Sequence, residues 1–280
     1  MKIRFGHSPD PDDAFMFYAI AKEKIWTDPF VITHVVEEIE RLNQRALTGE
    51  LEVTAVSMHA YAYCADKYRL LTCGASVGNG YGPILVSKKN FSDLKGKRIG
   101  IPGKLTTARL VLNLFAEGFV EEFLPFDRII PALQEGKVDA GLLIHEGQVT
   151  YADLGLKKIV DLGEWWKKKT GLPLVLGVDV IRKDISEEVA ESFDDLFRRC
   201  IEYSLSHRDE AIQYAMPFGR GLVKTKTDRF IGMYVNDDTL DYGEKGRESI
   251  QKLFEEARKK RLIPKTVSPE FVSDGVLNRR

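Results

Sequence analysis

The chain has 280 residues, of which 44% are hydrophobic and 30% are charged, a balance typical of globular proteins. Its 41 basic and 42 acidic side chains leave a net charge of −1, so no overall field favours nucleic acid or an anionic membrane. No segment approaches the roughly 20 apolar residues that a membrane-spanning helix needs. We therefore expect a small-molecule partner, with no nucleic acid and no membrane.

The chain carries no sign of export. Residues 1–6 enter a strand-like run directly, without the apolar stretch of a signal peptide. Cys64, Cys73 and Cys200 are too few and too scattered for a disulfide framework or a zinc site. These features predict a cytoplasmic protein whose thiols are buried or partly buried.

The first part of the chain alternates between strand-like and helix-like segments, which is the rhythm of an α/β sheet with parallel strands. The predicted strands cover residues 3–6, 31–35, 53–57 and 70–73, and the predicted helices cover 13–22, 39–48 and 60–67. Gly74, Gly78, Gly80 and Gly82 then interrupt the pattern as turns, without the spacing of a phosphate loop.

A second alternating unit follows the run at residues 81–87. Its predicted strands lie at 98–101, near 123, at 140–144 and at 158–161, and its predicted helices lie at 106–117 and 129–134. Residues 174–181 form another long apolar run, after which the chain is almost wholly helical, over 187–206, 208–215, 227–235 and 245–260. Two long strands that bracket a middle unit indicate two crossings between lobes.

The pattern therefore predicts an α/β fold of two lobes with a ligand cleft between them. Residues 1–87 and 178–280 would form a discontinuous large lobe, and residues 88–177 would form an inserted smaller lobe. A cleft between two such lobes commonly holds a small ligand, and the ends of several strands converge there.

His145 is the best single candidate for a catalytic residue. It follows the apolar run at 140–144, with Glu146 beside it, where α/β sheets keep their reactive groups. An imidazole accepts a proton near neutral pH, which suits a general base. The alternative is a hydrogen-bonded structural histidine, and nothing local identifies the proton that His145 would take.

The loop after the first strand carries Ser8 and three aspartates, Asp10, Asp12 and Asp13. The structural interpretation is that Asp12 or Asp13 caps the next helix while prolines stiffen the turn. A divalent-metal site is the alternative, but the spacing of a calcium loop is absent. We expect no metal here.

Two further stretches lie where strands end and helices begin. Ser57 can present its hydroxyl and backbone amide to a ligand, or it can be an N-cap, and no nucleophile-elbow motif surrounds it. Thr106, Thr107 and Ala108 open a helix, whose free amides and positive dipole end favour a carboxylate or a hydroxyl-rich ligand. Residues 161–166 form either a lid or hinge, or a pair of tryptophans that packs in the core.

Six blocks of the sequence, taken in order, resemble one family, the 1,4-dihydroxy-6-naphthoate synthases of the futalosine route to menaquinone. The blocks are Gly6-His7-Ser8-Pro9 with residues 13–18, Leu42-Asn43, Ser57, Pro102-Gly103 with residues 106–108, residues 143–146 and residues 161–166. The resemblance continues through residues 170–174 and 234–236, so it covers nearly the whole chain.

The resemblance implies a fold like that of the type II periplasmic binding proteins. It also implies a carbon–carbon lyase that converts cyclic dehypoxanthine futalosine into 1,4-dihydroxy-6-naphthoate, with His145 as the general base. The residues that it implies for substrate binding are Ser8, Asn43, Ser57, Thr106, Thr107 and Ala108. The implied chemistry requires neither a metal nor a redox cofactor, and we assign the carboxylate of the substrate to the turn at 106–108.

The first block departs from the pattern of the family. This chain has Asp10 and Asp12 where the family more often has cysteine and asparagine, and Ala55 stands in place of a commonly basic residue. Two other functions stay open: a chorismate dehydratase of the same pathway, which shares the fold, and a non-catalytic solute-binding protein for a small carboxylate. The blocks that contain His145 and residues 163–166 favour the synthase.

Overall fold

The computed structural model describes residues 1–91 and 93–273 of the chain. The strands are β1 (Lys2–His7), β2 (Val31–Val36), β3 (Val53–Ser57), β4 (Tyr68–Leu70), β5 (Ser76–Gly78), β6 (Ile84–Ser87), β7 (Arg98–Ile101), β8 (Val120–Phe123), β9 (Ala140–Leu143), β10 (Lys157–Asp161) and β11 (Leu174–Arg182). The α-helices are α1 (Pro11–Ala21), α2 (Ile39–Thr48), α3 (Met58–Cys64), α4 (Thr107–Phe115), α5 (Phe126–Gln134), α6 (Gly147–Thr150), α7 (Leu162–Thr170), α8 (Glu187–Ser206), α9 (Arg208–Ala215), α10 (Lys224–Tyr234), α11 (Asp237–Leu240) and α12 (Gly243–Lys259). Two 3₁₀ turns cover Tyr151–Leu154 and Met216–Gly219.

The strands form two separate sheets. The first has the order β2-β1-β3-β11-β4, with β5 also paired to β11, and the second has the order β10-β6-β9-β7-β8. Helices cover both sheets, so the predicted α/β class with two sheet-based halves is confirmed. Among the described residues, no helix is long and apolar enough to cross a bilayer.

Both sheets are mixed rather than wholly parallel, which corrects the sequence prediction. In the first sheet β1 runs parallel to β2 and β3, but β11 is antiparallel to β3, β4 and β5. In the second sheet β7 runs parallel to β8 and β9, but β6 is antiparallel to β9 and β10. Because β6 and β11 each enter from the other sheet, no right-handed crossover within one sheet fixes their direction.

The chain crosses from one sheet to the other a few residues earlier than the sequence analysis predicts. β6, at Ile84–Ser87, pairs in the second sheet, whereas the prediction put residues 84–87 in the first lobe. β11 begins at Leu174 and pairs in the first sheet throughout, whereas the prediction put residues 174–177 in the inserted lobe. The division into lobes 1–87 with 178–280, and 88–177, stays a prediction.

Helix α1 is buried on every side because it runs through the core of the first half. All its residues from Pro11 to Ile20 are buried, and it packs against α8, α9 and α10. The ring of Phe17 lies 4.5 Å from that of Phe5 on β1 and 5.0 Å from that of Phe197 on α8. Each such ring stabilises the fold by roughly 1.5–3 kcal/mol. This packing holds the first turn of α1 at the end of β1.

The tryptophans of residues 161–166 pack in the core and form no lid, so the second of the two sequence interpretations describes them. Asp161 caps α7, accepting hydrogen bonds from the amides of Gly163 at 2.9 Å and Glu164 at 3.0 Å. Trp166 is fully buried and its indole donates to the carbonyl of Pro173 at 3.1 Å. The indole thereby joins α7 to the start of β11.

The two crossings between the sheets touch one another. The amide of Leu162 donates to the carbonyl of Pro83 at 2.9 Å, and the backbone of Gly82 lies directly against that of Gly163. A Cβ atom at position 163 would collide with the carbonyl oxygen of Tyr81. Glycine is therefore required at Gly163 for the close approach of two backbones.

We expect Gly163→Ala to lower the free energy of unfolding by on the order of 2 kcal/mol, because the backbone at Tyr81 cannot move aside as a flexible side chain can. Urea unfolding followed by tryptophan fluorescence measures this. Gly232→Ala is the matched control: position 232 is exposed within α10, near only the end of the Arg208 side chain, and alanine there stabilises by up to about 1 kcal/mol. Wild-type stability in Gly163→Ala would contradict the contact between the crossings.

Candidate active site

A cleft of about 730 Å³, part of it open to solvent, lies where the two sheets face each other. The first half of the molecule contributes the ends of β1 and β3 and the first part of β11, and the second half contributes the end of β9 and the start of α4. Ser8, Ser57, Thr106, Thr107, Ala108 and His145, which the sequence predicts as site residues, line this cleft. Asn43 does not lie on its surface.

His145 lies two residues beyond the end of β9 in a strained backbone conformation. Its φ of +52° is in the left-handed region, which a residue with a Cβ rarely adopts and which clusters at functional sites. Its Nδ1 atom lies 3.0 Å from Oδ2 of Asp10, and the edge of its ring packs on Phe126. Its Nε2 atom is buried and has no hydrogen-bond partner among the described residues.

Asp10 is the partner that orients the imidazole of His145. The side chain of Asp10 is only 1% exposed, and its Oδ2 atom also accepts a hydrogen bond from the hydroxyl of Ser8. Its Oδ1 atom lies 3.0 Å from Nη1 of Arg220. A carboxylate held this way accepts the Nδ1 proton of the imidazole and leaves Nε2 without one, which is the tautomer of a base.

Arg220 joins the two halves of the molecule beside His145. Its Nη1 atom lies 3.1 Å from the carboxylate of Glu146 in the second half, and its Nη2 atom lies 3.4 Å from Glu38 in the first half. The guanidinium also stacks over the ring of Phe126 at 4.4 Å. Like His145, Arg220 has a left-handed backbone, with φ of +46°. The cation offsets the negative charge that three carboxylates place around it.

A second contact closes the cleft on the same side. The hydroxyl of Tyr234, at the end of α10, donates to the side-chain oxygen of Gln148 on α6 at 2.7 Å. Both residues line the cleft, and Tyr234 is buried. The pairs formed by His145, Glu146 and Gln148 therefore connect one short segment of the second half to three points of the first half.

Two more carboxyl groups, those of Asp12 and Asp13, lie in the first turn of α1 and line the cleft. Burial, together with the charge of Asp10, raises the pKa of Asp12 to about 6. Burial and the neighbouring carboxylates raise the pKa of Asp13 well above its ordinary value, although Oδ2 of Asp13 accepts the amide of Ser8 at 2.6 Å. Neither residue is the N-cap of α1, a position that Asp10 occupies without a capping side-chain bond.

The three aspartates do not form a metal site. Within residues 1–91 and 93–273, no three histidine, cysteine, aspartate or glutamate side chains converge in a way that could hold a metal ion. Asp10 is engaged by an imidazole and a guanidinium.

Ser57 presents its hydroxyl, and not its amide, to the cleft. Asn43 clamps it from behind: the side-chain nitrogen of Asn43 donates to Oγ of Ser57 at 3.1 Å, and the amide of Ser57 donates to the side-chain oxygen of Asn43 at 2.8 Å. Because the hydroxyl already accepts a bond, its own proton is directed elsewhere, and it meets no acceptor among the described residues. Asn43 is therefore a support for Ser57 in the structure, where the sequence analysis expects a direct ligand contact.

The start of α4 carries backbone donors that have no acceptor within the helix. Thr106 is the N-cap, and its hydroxyl accepts the amide of Arg109 at 3.3 Å. The amides of Thr107 and Ala108 belong to the first turn, where a helix offers no internal acceptors. The hydroxyl of Thr107 donates to the carbonyl of Leu176 on β11 at 2.6 Å, so it ties the two halves together.

Sequence reasoning missed the contacts that organise the site. It treated Asp10 only as a possible metal ligand and as a departure from the family pattern, and it gave no role to Asp179 or Arg220. Asp179 leaves one local signal, a lone carboxylate inside the apolar run of β11, since buried charges need a reason. Arg220 leaves none, because its partners lie 74 and more residues away in the chain.

Comparison with known proteins gives a consistent result. Residues 3–259 match a protein family described as menaquinone biosynthesis. The chain is 39% identical to the 1,4-dihydroxy-6-naphthoate synthase of Thermus thermophilus, over 96% of this chain and 99% of the relative. It is 34% identical to the synthase of the same name from Streptomyces coelicolor, over 94% of this chain and 95% of the relative.

The fold has relatives among solved structures. A protein from Archaeoglobus fulgidus, known from its crystal structure, is 52% identical and superposes with a TM-score of 0.91, covering 94% of this chain and 98% of the other. The alkanesulfonate-binding protein of Xanthomonas axonopodis superposes with a TM-score of 0.71 at 14% identity, covering 96% of each chain. The second likeness concerns the fold alone and confirms the predicted architecture of the periplasmic binding proteins.

We expect Asp12→Asn to stabilise the protein near neutral pH. A pKa near 6 means that the folded protein holds the proton of Asp12 more tightly than the unfolded chain does. Ionisation above about pH 6 therefore costs folding free energy, about 3 kcal/mol at most, and the cost disappears as the pH falls towards about 4. Asparagine cannot ionise and avoids it.

Urea unfolding of the wild type and Asp12→Asn at a series of pH values between about 7.5 and 4.5 measures the gap between the two proteins. The gap is expected to narrow as the pH falls. Asp195→Asn, at an exposed site paired only with Arg199, is the control and is expected to show no such trend. A destabilised Asp12→Asn, or a gap independent of pH, would contradict the burial of an uncompensated carboxyl.

Proposed function

Because the chain belongs to the 1,4-dihydroxy-6-naphthoate synthase family of menaquinone biosynthesis, whose members are lyases, we propose that it cleaves a carbon–carbon bond of cyclic dehypoxanthine futalosine, with His145 as the general base. The product is 1,4-dihydroxy-6-naphthoate. The reaction takes place in the cytoplasm, as suits an enzyme of a biosynthetic route.

One observation carries the assignment of the base. His145 lines the cleft, and its buried Nε2 atom has no hydrogen-bond partner among the described residues, while Nδ1 is held at 3.0 Å from the buried carboxylate of Asp10. A general base needs a free lone pair, a fixed orientation and a stabilising charge for the imidazolium that forms. Asp10 supplies the last two, and Nη1 of Arg220 lies 3.0 Å from its other oxygen.

The lone pair of Nε2 starts the proposed reaction by accepting a proton. Nε2 removes the proton of a hydroxyl on the sugar-derived ring of the substrate, and the alkoxide collapses to a carbonyl as the adjacent carbon–carbon bond breaks in a retro-aldol step. Loss of the remaining fragment lets the bicyclic product become aromatic. The imidazolium of His145 returns its proton during these later steps, so the base is regenerated.

The start of α4 suits the carboxylate of the substrate. The amides of Thr107 and Ala108 and the positive end of the helix dipole stabilise an anion at this point. The free proton of the Ser57 hydroxyl offers a further donor. The substrate would then lie across the cleft, with its carboxylate at α4 and its sugar-derived ring at His145.

We expect His145→Gln to lower kcat by about 10³-fold, because glutamine keeps the size of the side chain but cannot take a proton. The purified protein is incubated with cyclic dehypoxanthine futalosine, and 1,4-dihydroxy-6-naphthoate is followed by chromatography. His207→Gln, at an exposed histidine stacked on Tyr203, is the matched control and is expected to keep wild-type activity.

Three outcomes decide among the candidate functions. Product from the wild type and from His207→Gln, but not from His145→Gln, supports the proposal. A folded wild type that binds the substrate and returns it unchanged would point to a solute-binding protein. Turnover of chorismate in place of the futalosine derivative would point to the sister dehydratases.

We expect Thr107→Val to raise KM about three- to tenfold with a smaller change in kcat. Valine has the shape of threonine but loses the hydrogen bond to the carbonyl of Leu176, so the start of α4 is held less firmly against β11. Steady-state kinetics measures KM and kcat separately. Thr107→Ser keeps the hydroxyl and is expected to restore KM, and a raised KM in both variants would contradict the role of this hydrogen bond.

A further inference from the structure

Two carboxyl groups of the cleft take no part in the mechanism proposed above. Asp12, in the first turn of α1, is 6% exposed, and Asp179, on β11, is 2% exposed. Both line the cleft, and the Oδ1 atom of each is buried without a hydrogen-bond partner among the described residues. Buried polar atoms are almost always paired, so two unpaired oxygens in one cleft call for a ligand.

The other two aspartates of the cleft show the contrast. Asp10 is bonded by Ser8, His145 and Arg220, and Asp13 accepts the amide of Ser8. Their neighbours therefore satisfy them within the protein. The Oδ1 atoms of Asp12 and Asp179 have no such partner among the described residues, although removing either charge would relieve a folding cost.

The backbone around Asp179 is built to leave room for its carboxyl group. Gly74 also lines the cleft, with φ of +87°, a conformation that other residues rarely adopt. A Cβ atom at position 74 would collide with Oδ2 of Asp179 and with the ring of Phe197. Glycine at position 74 therefore leaves the space that the carboxyl group of Asp179 occupies.

The chemistry of the pair selects its ligand. Burial raises the pKa of Asp179 well above its ordinary value and, with the charge of Asp10, that of Asp12 as well. Carboxyl groups that are partly protonated both donate and accept hydrogen bonds, as neutral hydroxyl groups do. A second anion would be repelled here, so the carboxylate of the substrate belongs at the start of α4.

We propose that Asp12 and Asp179 bind the hydroxyl groups of the sugar-derived ring and so determine the specificity of the enzyme for a polyhydroxylated substrate. This inference rests on the proposed function. A site built to hydrogen-bond a hydroxyl strongly rejects a ligand that lacks it, because its buried polar groups are then left unpaired. The naphthoate product keeps the carboxylate but has lost the sugar-derived hydroxyls, so the same two residues would favour its release.

The test compares two ligands on one set of variants. Dissociation constants for cyclic dehypoxanthine futalosine and for 1,4-dihydroxy-6-naphthoate are measured by calorimetry in the His145→Gln background, which prevents turnover. We expect Asp12→Ala and Asp179→Ala, which remove the hydrogen-bonding group, each to weaken binding of the futalosine derivative by about tenfold or more, and binding of the naphthoate by no more than about twofold. Asp195→Ala, outside the cleft, is the matched control and is expected to change neither.

Other outcomes separate the inference from the proposed function. Equal weakening of both ligands, or unchanged binding of the futalosine derivative, would overturn the inference while leaving the synthase intact. Absence of both binding and turnover in the wild type would overturn the proposed function, and the inference with it.

A second measurement needs only the parent protein, in case an alanine variant does not fold. The futalosine derivative with its sugar-derived hydroxyls methylated is titrated into His145→Gln alone. Binding weaker by about tenfold is expected, and equal binding of the two forms would overturn the inference.

Discussion

The contact between Nδ1 of His145 and Oδ2 of Asp10 joins a residue beyond β9 in one half of the molecule to the loop before α1 in the other. Without it, the imidazole could hold its proton on either nitrogen and turn about its own axis. With it, a buried carboxylate fixes both, and Arg220 contacts the other oxygen of that carboxylate. The reactive geometry therefore exists only where the two halves are in contact.

The region around the cleft also contains groups that lower the stability of the fold. Four carboxyl groups, those of Asp10, Asp12, Asp13 and Asp179, lie buried around one cleft. Among the residues that the structure describes, only Asp10 of these four is paired with an arginine. Left-handed backbones at His145 and Arg220 add strain of about 1–3 kcal/mol each. Apolar packing elsewhere, such as the rings around α1, offsets these costs. Such a concentration of unfavourable terms is expected at a site that binds a polar ligand.

Much of the architecture could be predicted from the sequence because it depends on local patterns. The helices Ile39–Thr48, Glu187–Ser206 and Arg208–Ala215, and the strand Val53–Ser57, have the predicted bounds, since apolar periodicity and flanking turns define them. Strand direction and sheet membership at β6 and β11 depend on which sheet the chain crosses to, and no local pattern encodes that.

The candidate site shows the same difference between local and long-range features. Strand ends pointed to His145 and Ser57, but the partners Asp10 and Arg220 are contacts at long range. The sequence departs from the usual pattern of its family at Asp10 and Asp12, and both residues line the cleft. Asp10 contacts His145, and Asp12 has a buried Oδ1 atom without a hydrogen-bond partner among the described residues.

The central claim is that His145 presents an unprotonated Nε2 atom to the substrate because Asp10 holds the proton on Nδ1. Nitrogen-15 NMR of the five histidines, with His145 assigned from its loss in His145→Gln, reads the tautomer directly in the unmodified protein. The account predicts that the neutral ring of His145 carries its proton on Nδ1. A ring that carries the proton on Nε2 would contradict it, because Nε2 would then be a donor and could not serve as the base.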